Sequence, residues 1–275
     1  MSTAAQLILT RPRAQAVLWQ QRLAVHGVPT RVLPLLDILP PASGLDLAQA
    51  WSVLPQTQVL VFVSPNAVHH FFAAAPKGAA WPAQVLAATV GPGSAQALTQ
   101  HGVPAACIVQ PAPDAPSLDS EQLWPVLEQR LAAVLQAGQP WSAWVIRGEG
   151  GREWLAQRLQ ERGAAVHYCS AYRRVCPQWT EQDCDWVRQA WQQPQQHIWL
   201  FSSSEAAAHA RLLGAAAGGG AAPWRQTLAL CTHERIARSV EALGVGHVVL
   251  VRPDAAAVAQ GFRQLTGGAL ESPAS

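Results

Sequence analysis

Three short stretches of this chain occur twice and in the same order, and that repetition restricts the possible folds more than any other feature. Leu7-Ile8-Leu9-Thr10-Arg11-Pro12, with Gln21-Arg22-Leu23 and Gly27 downstream, aligns with Trp144-Val145-Ile146-Arg147-Gly148, Gln157-Arg158-Leu159 and Gly163, an offset of 136 residues (Arg11 against Arg147). Val61-Phe62-Val63-Ser64-Pro65-Asn66-Ala67 aligns with Leu200-Phe201-Ser202-Ser203-Ser204-Glu205-Ala206 at 139 residues (Ser64 against Ser203). Thr89-Val90-Gly91 through Gly102-Val103 aligns with Cys231-Thr232-His233 through Gly244-Val245 at 142 residues (Gly91 against His233). Self-similarity at a nearly constant offset and in constant order marks a duplication.

Each unit reads as a short apolar strand, a polar or glycine turn, a helix and a glycine that stops it. The runs at 7–9 and 59–63 are continuously apolar, as expected of strands buried on both faces. Ala14, Val17, Leu18 and Val25 are expected on one helical face, with Gly27 as a left-handed C-cap. Strands alternating with helices predict an α/β fold of doubly wound parallel sheets, in two related domains. The copies interleave, so the domains expected are 1–36 plus 175–267, discontinuous, and 38–172, inserted. The crossings then fall in proline-flanked stretches near 34–41 and 171–177.

Two connections read as loose. One is the proline-rich run at 110–117. The other is the alanine- and glycine-rich run at 214–223, expected to be a mobile insertion at a helix end. After the first, Asp119 or Ser120 is expected to cap a helix carrying Leu123, Leu127 and Leu131, with Pro125 a local conflict. A tail at 268–275 is expected to be disordered.

Composition closes off several functions. With 275 residues, 49% apolar and 13% charged, the chain is too hydrophobic and too weakly charged to be mostly disordered. No apolar run approaches the roughly 20 residues of a membrane span, and the N-terminus lacks the pattern of a signal peptide. Cytoplasmic location is the expectation. Five cysteines without a Cys-x-x-Cys pair argue against a disulfide framework or structural zinc. A net charge of +2 is too small to imply nucleic-acid binding. Lys77 is the only lysine, so nearly all positive charge is guanidinium, suited to carboxylate or phosphate but equally a product of codon bias.

The chemistry is expected at the strand-to-helix turns, because helix N-termini offer unpaired N–H donors and partial positive charge. They are Thr10-Arg11-Pro12, Ser64-Pro65-Asn66, the stretch 90–94, the stretch 147–152, Ser202-Ser203-Ser204 and Thr232-His233. They are rich in Gly, Ser, Thr and Arg and poor in carboxylates. Any one of them could serve only to cap a helix, and Ser202-x-x-Glu205 has the spacing of a capping box. Taken together, two such rims across a hinge would form a cleft for an anion. Phosphate-loop, dinucleotide-loop and Gly-x-Ser-x-Gly signatures are missing from the sequence. His69-His70 lacks the partner spacing of a zinc enzyme. His167 and Cys169 alternate along a strand and read as packing residues. Of the two tyrosines, Tyr168 and Tyr172, the latter lies beside a crossing and next to Arg173 and Arg174. It could face the cleft or simply pack on a helix.

The pattern resembles the uroporphyrinogen-III synthase family. The matching signatures are Thr10-Arg11-Pro12, the run from Phe62 through Ser64-Pro65-Asn66 to Val68, and Val90-Gly91 running to Gly102. They continue with Ser120-Glu121-Gln122-Leu123, Arg147-Gly148 through Arg152, Val166 to Tyr172-Arg173-Arg174, and Ser202-Ser203-Ser204. The resemblance implies two α/β domains joined by a two-stranded linker. It also implies a reaction: hydroxymethylbilane loses water and closes to uroporphyrinogen III, its last pyrrole ring inverted through a spiro intermediate. No metal or organic cofactor is implied, nor any nucleic-acid or membrane partner, and the chain is expected to be a monomer. Matched to the family's tyrosine near the linker, Tyr172 is expected to be the general acid. The substrate carboxylates are expected at Arg11, Ser64, Asn66, Gly91, Arg147, Gly148, Ser203, Ser204 and Thr232. The alternative is a non-catalytic two-domain module that senses an anionic small molecule.

Overall fold

The structure, a computed structural model, describes residues 5–112, 115, 117, 119–150, 153–219 and 222–267. The tail at 268–275, Pro113 and Pro116 of the proline-rich run, and Arg152 lie outside the described residues. The chain divides into two compact units, one from Met1–Asp37 with Val175–Ser275 and one from Ile38–Arg174.

The first unit contains β1 (Gln6–Leu9), α1 (Arg13–Ala24) and β2 (Thr30–Val32). From the C-terminal segment it adds α8 (Glu181–Gln192), β9 (His197–Phe201), α9 (Ser204–Ala216), α10 (Ala222–Arg225), β10 (Leu228–Cys231), α11 (Glu234–Leu243), β11 (His247–Leu250) and α12 (Ala255–Leu265). Its sheet runs β11-β10-β9-β1-β2, every pair parallel. Because side chains alternate along a strand, Leu7 and Leu9 pack with Trp19, Leu23 and Phe262 of α1 and α12. Ile8 points the other way, toward Trp199, Phe201 and Val240. Burial on both faces explains the unbroken apolar run.

Two local expectations are corrected here. The buried face of α1 is Ala16, Trp19 and Leu23, while Leu18 is 55% and Val25 82% exposed. Trp19 anchors the helix at i, i+3, i+7 spacing, and that orientation turns Val17 and Leu18 outward. The alanine- and glycine-rich run is not a free insertion over its described part: α9 continues to Ala216 and α10 begins at Ala222. A Cβ at Gly219 would stand 2.4 Å from the Trp191 ring, so small residues there make room for tryptophan.

The second unit contains β3 (Asp37–Leu39), α2 (Leu45–Val53), β4 (Val59–Phe62), α3 (Pro65–Ala73), β5 (Leu86–Thr89) and α4 (Pro92–Gln100). It continues with β6 (Ile108–Val109), α5 (Ser120–Arg130), α6 (Ala132–Ala137), β7 (Trp141–Gly148), α7 (Trp154–Glu161) and β8 (Ala164–Val175). The order is β3-β8-β7-β4-β5-β6. Leu60, Phe62, Trp144 and Ile146 face α2, α3 and α4. Val59, Val61, Ala143 and Val145 face α5 and α7. The repeat equates β4, β5 and β7 with β9, β10 and β1. Under that equivalence β6-β5-β4-β7-β8 reproduces β11-β10-β9-β1-β2, with β3 added at one edge. In each sheet the strand order reverses at one place, between β4 and β7 or between β9 and β1.

Where α11 hands over to β11, Gly246 lies against the chain at Arg225. A Cβ there would fall 1.8 Å from the Arg225 carbonyl oxygen, backbone that no rotamer change can move. Gly246→Ala is therefore expected to lower stability by roughly 1–3 kcal/mol or more, read from urea unfolding. A loss under about 0.5 kcal/mol, the scale of an ordinary surface change, would mean that this backbone yields freely.

Candidate functional site

Where a parallel strand passes the chain to a helix, the carboxyl end of the strand and the N-terminus of that helix share one edge of the sheet. In the second unit Ser64 follows β4 directly. Its extended backbone and its hydroxyl, which accepts from the Ala67 amide at 3.2 Å, make it the N-cap of α3, with Pro65 at the first helical position. Asn66 occupies the next position and is half-buried.

Three expected residues from distant parts of the chain meet at this turn. The Tyr172 hydroxyl lies 3.1 Å from Ser64 Oγ, and Tyr172 is only 4% exposed. Beneath the ring is Gly148, where a Cβ would stand 2.7 Å from Tyr172 Cε2 and 2.8 Å from Cζ. A β-bulge makes the meeting possible: Arg147 pairs with Ser170 but Gly148 with Tyr172, so Ala171 is the extra residue. The Glu149 amide donates to the Tyr172 carbonyl at 3.2 Å, fixing the register beyond the bulge. The cluster stands at the β4/β7 reversal, the point where open parallel sheets take ligands.

His70, which the sequence reading did not select, stacks on the Tyr172 ring at 5.9 Å between centroids. Its neighbour His69 bonds to His101 at 3.1 Å, and His101 stacks on Phe72. Burial first, then the charge of His69, holds both His70 and His101 below the ordinary 6.5. Nothing local marks His70, because its partner is 102 positions away.

The other expected residues do not join this cluster. Arg147 lines a cavity of about 300 Å³ with Asp119, Ser120 and Leu155, on the side of the sheet packed by α5 and α7. Its guanidinium lies 4.0 Å from the Tyr168 ring, and Nη1 is buried without a hydrogen-bond partner. Its equivalent in the first unit, Arg11, repeats the arrangement: 4.5 Å from the Trp19 ring, with Nε buried and unpartnered. Burial, then Arg22, pushes the Arg11 guanidinium down to about 10, still cationic at neutral pH. Also in the first unit, Ser203 caps α9 by accepting from the Glu205 amide at 3.2 Å, and Ser204 Oγ is buried and unpartnered. The helix thus starts one residue later than the Ser202-x-x-Glu205 spacing suggested, and the capping box lies elsewhere, at Thr180 and Asp183. Thr232 is half-buried, its amide donating to the Phe201 carbonyl.

Gly91 caps α4 in extended geometry with open space where a Cβ would stand, and His233 caps α11 in nearly the same conformation. Neither position demands glycine; His233 instead accepts the Arg235 amide on Nδ1 at 3.1 Å. Two helices start on aspartate caps: Asp119, one of the two residues expected to cap α5, and Asp254. Asp119 accepts from Gln122 and Asp254 from Ala257, so these helix N-termini already hold a carboxylate. Among the described residues no group of His, Cys, Asp and Glu could hold a metal ion. Burial pushes the Cys169 and Cys231 thiols up to about 12, which makes them inert as nucleophiles at neutral pH.

Comparison with known proteins bears on this arrangement. A family model described as "Uroporphyrinogen-III synthase HemD" matches residues 18–260. A curated uroporphyrinogen-III synthase from Synechococcus elongatus is 33% identical over 176 residues, 62% of this chain and 61% of that protein. The chain thus spans about three fifths of the length of the curated relative it matches. A mutant uroporphyrinogen III synthase from Thermus thermophilus shares 16% identity at a TM-score of 0.56, covering 96% of this chain and 99% of its own. A uroporphyrinogen-III synthetase from Helicobacter pylori shares 15% at 0.58, covering 95% and 99%. At such identities the two solved structures show likeness of fold alone.

Two outcomes are expected from this geometry. Gly148→Ala should drive the Tyr172 ring off Ser64, shift its ring NMR resonances and cost about 1–3 kcal/mol in urea unfolding. Unmoved resonances would show that the ring is not held by that contact. Because the folded-state pKa values of His70 and His101 are depressed, the unfolded chain binds more protons below 6.5. Stability should therefore fall as pH drops through 6.5 toward 5, and the paired changes His70→Gln and His101→Gln should flatten that slope. An equal slope in the paired variant would rule these two groups out as its source.

Proposed function

The chain belongs to the uroporphyrinogen-III synthase family, matched over residues 18–260, and from that premise we propose that it dehydrates hydroxymethylbilane and closes it to uroporphyrinogen III with the terminal ring inverted. The observation that carries this reading is the Ser64–Tyr172 hydrogen bond at the β4/β7 reversal, seated on Gly148. Loss of the hydroxyl needs a proton donor close to an electron-rich pyrrole, and a phenol serves without metal or organic cofactor. The azafulvene-type cation that remains is attacked by the substituted carbon of the last ring, giving a spiro intermediate that fragments and recloses. The bilane can also close unaided to the uninverted isomer. Catalysis is then mostly a matter of holding geometry.

Eight substrate carboxylates call for many weak donors. The caps at Ser64, Gly91, Ser203 and His233, none of them a carboxylate, mark four helix N-termini that can take them. The N-termini at Asp119 and Asp254 are the poorer seats, since each already carries a carboxylate. Arg11 and Arg147 offer buried guanidinium nitrogens that lack partners. No described helix is long and apolar enough to cross a membrane. On this reading the enzyme is a cyclising lyase of tetrapyrrole and heme formation, acting in the cytoplasm as a monomer on a small molecule.

The test is to incubate the purified protein with fresh hydroxymethylbilane and separate the type I and type III products after oxidation. An excess of type III is expected. Type I alone, at the uncatalysed rate, would overturn the proposal and leave an anion-sensing module. Tyr172→Phe should lower kcat by about 10- to 100-fold without abolishing type III formation, at or below the low end of general-acid effects. Unchanged kinetics would remove Tyr172 from the mechanism.

A further inference from the structure

The phenol and the serine differ in access. Tyr172 is 4% exposed, enclosed by Gly148 beneath and His70 on its face, whereas Ser64 is half-buried at the strand-to-helix turn. A serine hydroxyl has one hydrogen to donate and two lone pairs to accept with. One lone pair of Ser64 takes the Ala67 amide at 3.2 Å, and the phenol 3.1 Å away can fill the other. The serine hydrogen is then left to point away from both, out of the turn at the carboxyl end of β4. The amide and the N-terminus of α3 also favour negative charge on this oxygen as a proton leaves it. The equivalent cap in the first unit, Ser203, has no phenol to work with, since the two tyrosines are Tyr168 and Tyr172.

We infer that Ser64 is the catalytic residue that touches the leaving hydroxyl of the substrate, and that Tyr172 stands behind it as proton source. The inference rests on the synthase reading above. In the dehydration step the bond between the hydroxymethyl carbon and oxygen breaks, both electrons staying with oxygen. The Ser64 proton moves to that oxygen and water departs, while the Tyr172 proton moves to Ser64 Oγ. The pyrrole nitrogen lone pair stabilises the carbon, and a phenolate remains. When the last ring recloses it sheds a proton from its α-carbon to become aromatic again. That proton returns through Ser64 to the phenolate, so nothing is consumed beyond the hydroxyl lost as water.

The test measures single-turnover formation of the type III product with four single variants and one double. Ser64→Ala and Tyr172→Phe should each slow it by a similar factor, about tenfold to a hundredfold, and the double variant should be no slower than either. Ser64→Asp keeps a good helix cap but is acceptor-only when ionised. It should hold the thermal midpoint near wild type yet be as slow as Ser64→Ala. Ser64→Thr caps and donates, and should recover most of the rate. Wild-type rate in Ser64→Ala or Ser64→Asp, with Tyr172→Phe slow, would overturn the relay and put the phenol in direct contact with substrate. Multiplying effects in the double variant would overturn it as well. A wild-type protein that makes no type III excess would instead sink the synthase reading itself.

Discussion

A parallel strand cannot reach its neighbour through a tight turn, so the chain must return along the sheet face, in this fold through a helix. The pairs β1–β2, β1–β9, β9–β10, β10–β11, β4–β5, β4–β7, β5–β6 and β7–β8 are parallel. The helices therefore begin at the edge where the strands end, and their free amides collect there. Each N-terminus is worth only about 0.3–1 kcal/mol toward an exposed anion. Strength must come from number, which fits a ligand with many carboxylates better than one with a single phosphate. The same obligation buries both sheet faces, and it is why Leu7 to Leu9 and Val59 to Phe62 are fully apolar.

Not all of these N-termini are equal, and their caps sort them. A serine, glycine or histidine cap leaves the end of the helix electropositive; an aspartate cap neutralises it with a carboxylate inside the chain. Asp119 and Asp254 stand at equivalent turns of the two units, ahead of α5 and α12. The duplication has thus kept the same turn closed to anions in both copies. The buried arginines form a second equivalent pair. Their stacking on Trp19 and Tyr168 holds the guanidinium planes in place without using their N–H donors.

The α/β class was legible because strand, turn and helix repeat locally, and the duplication shows in the sequence as matched turns. The candidate site was legible only in its parts. Ser64, Gly148 and Tyr172 each stood out through family resemblance, but their meeting depends on a bulge at Arg147/Gly148 that no local pattern marks. Had the register continued unbroken, Gly148 would have faced Ala171 instead. His70 was invisible for a similar reason: it stacks on a ring far away in the sequence. The misread face of α1 has a different cause. Val17, Leu18 and Val25 form a plausible apolar group, but one Trp19 outweighs them in buried area and sets the helix rotation.

Equivalent positions in the two units show how one turn gained a phenol beside its serine cap. In the first unit Thr10 Oγ1 donates to the Leu200 carbonyl at 2.6 Å, tying β1 to β9 at the reversal, and Pro12 follows as the N-cap of α1. The corresponding residues of the second unit are Ile146, Val61 and Gly148, which offer neither the tie nor a ring to fill the space. A glycine and a one-residue bulge there admit a phenol against the serine cap. The serine itself is common to both copies, as Ser64 and Ser203, and in each it caps the helix that follows. What differs is the ring behind it, a phenol that the second copy admits over Gly148.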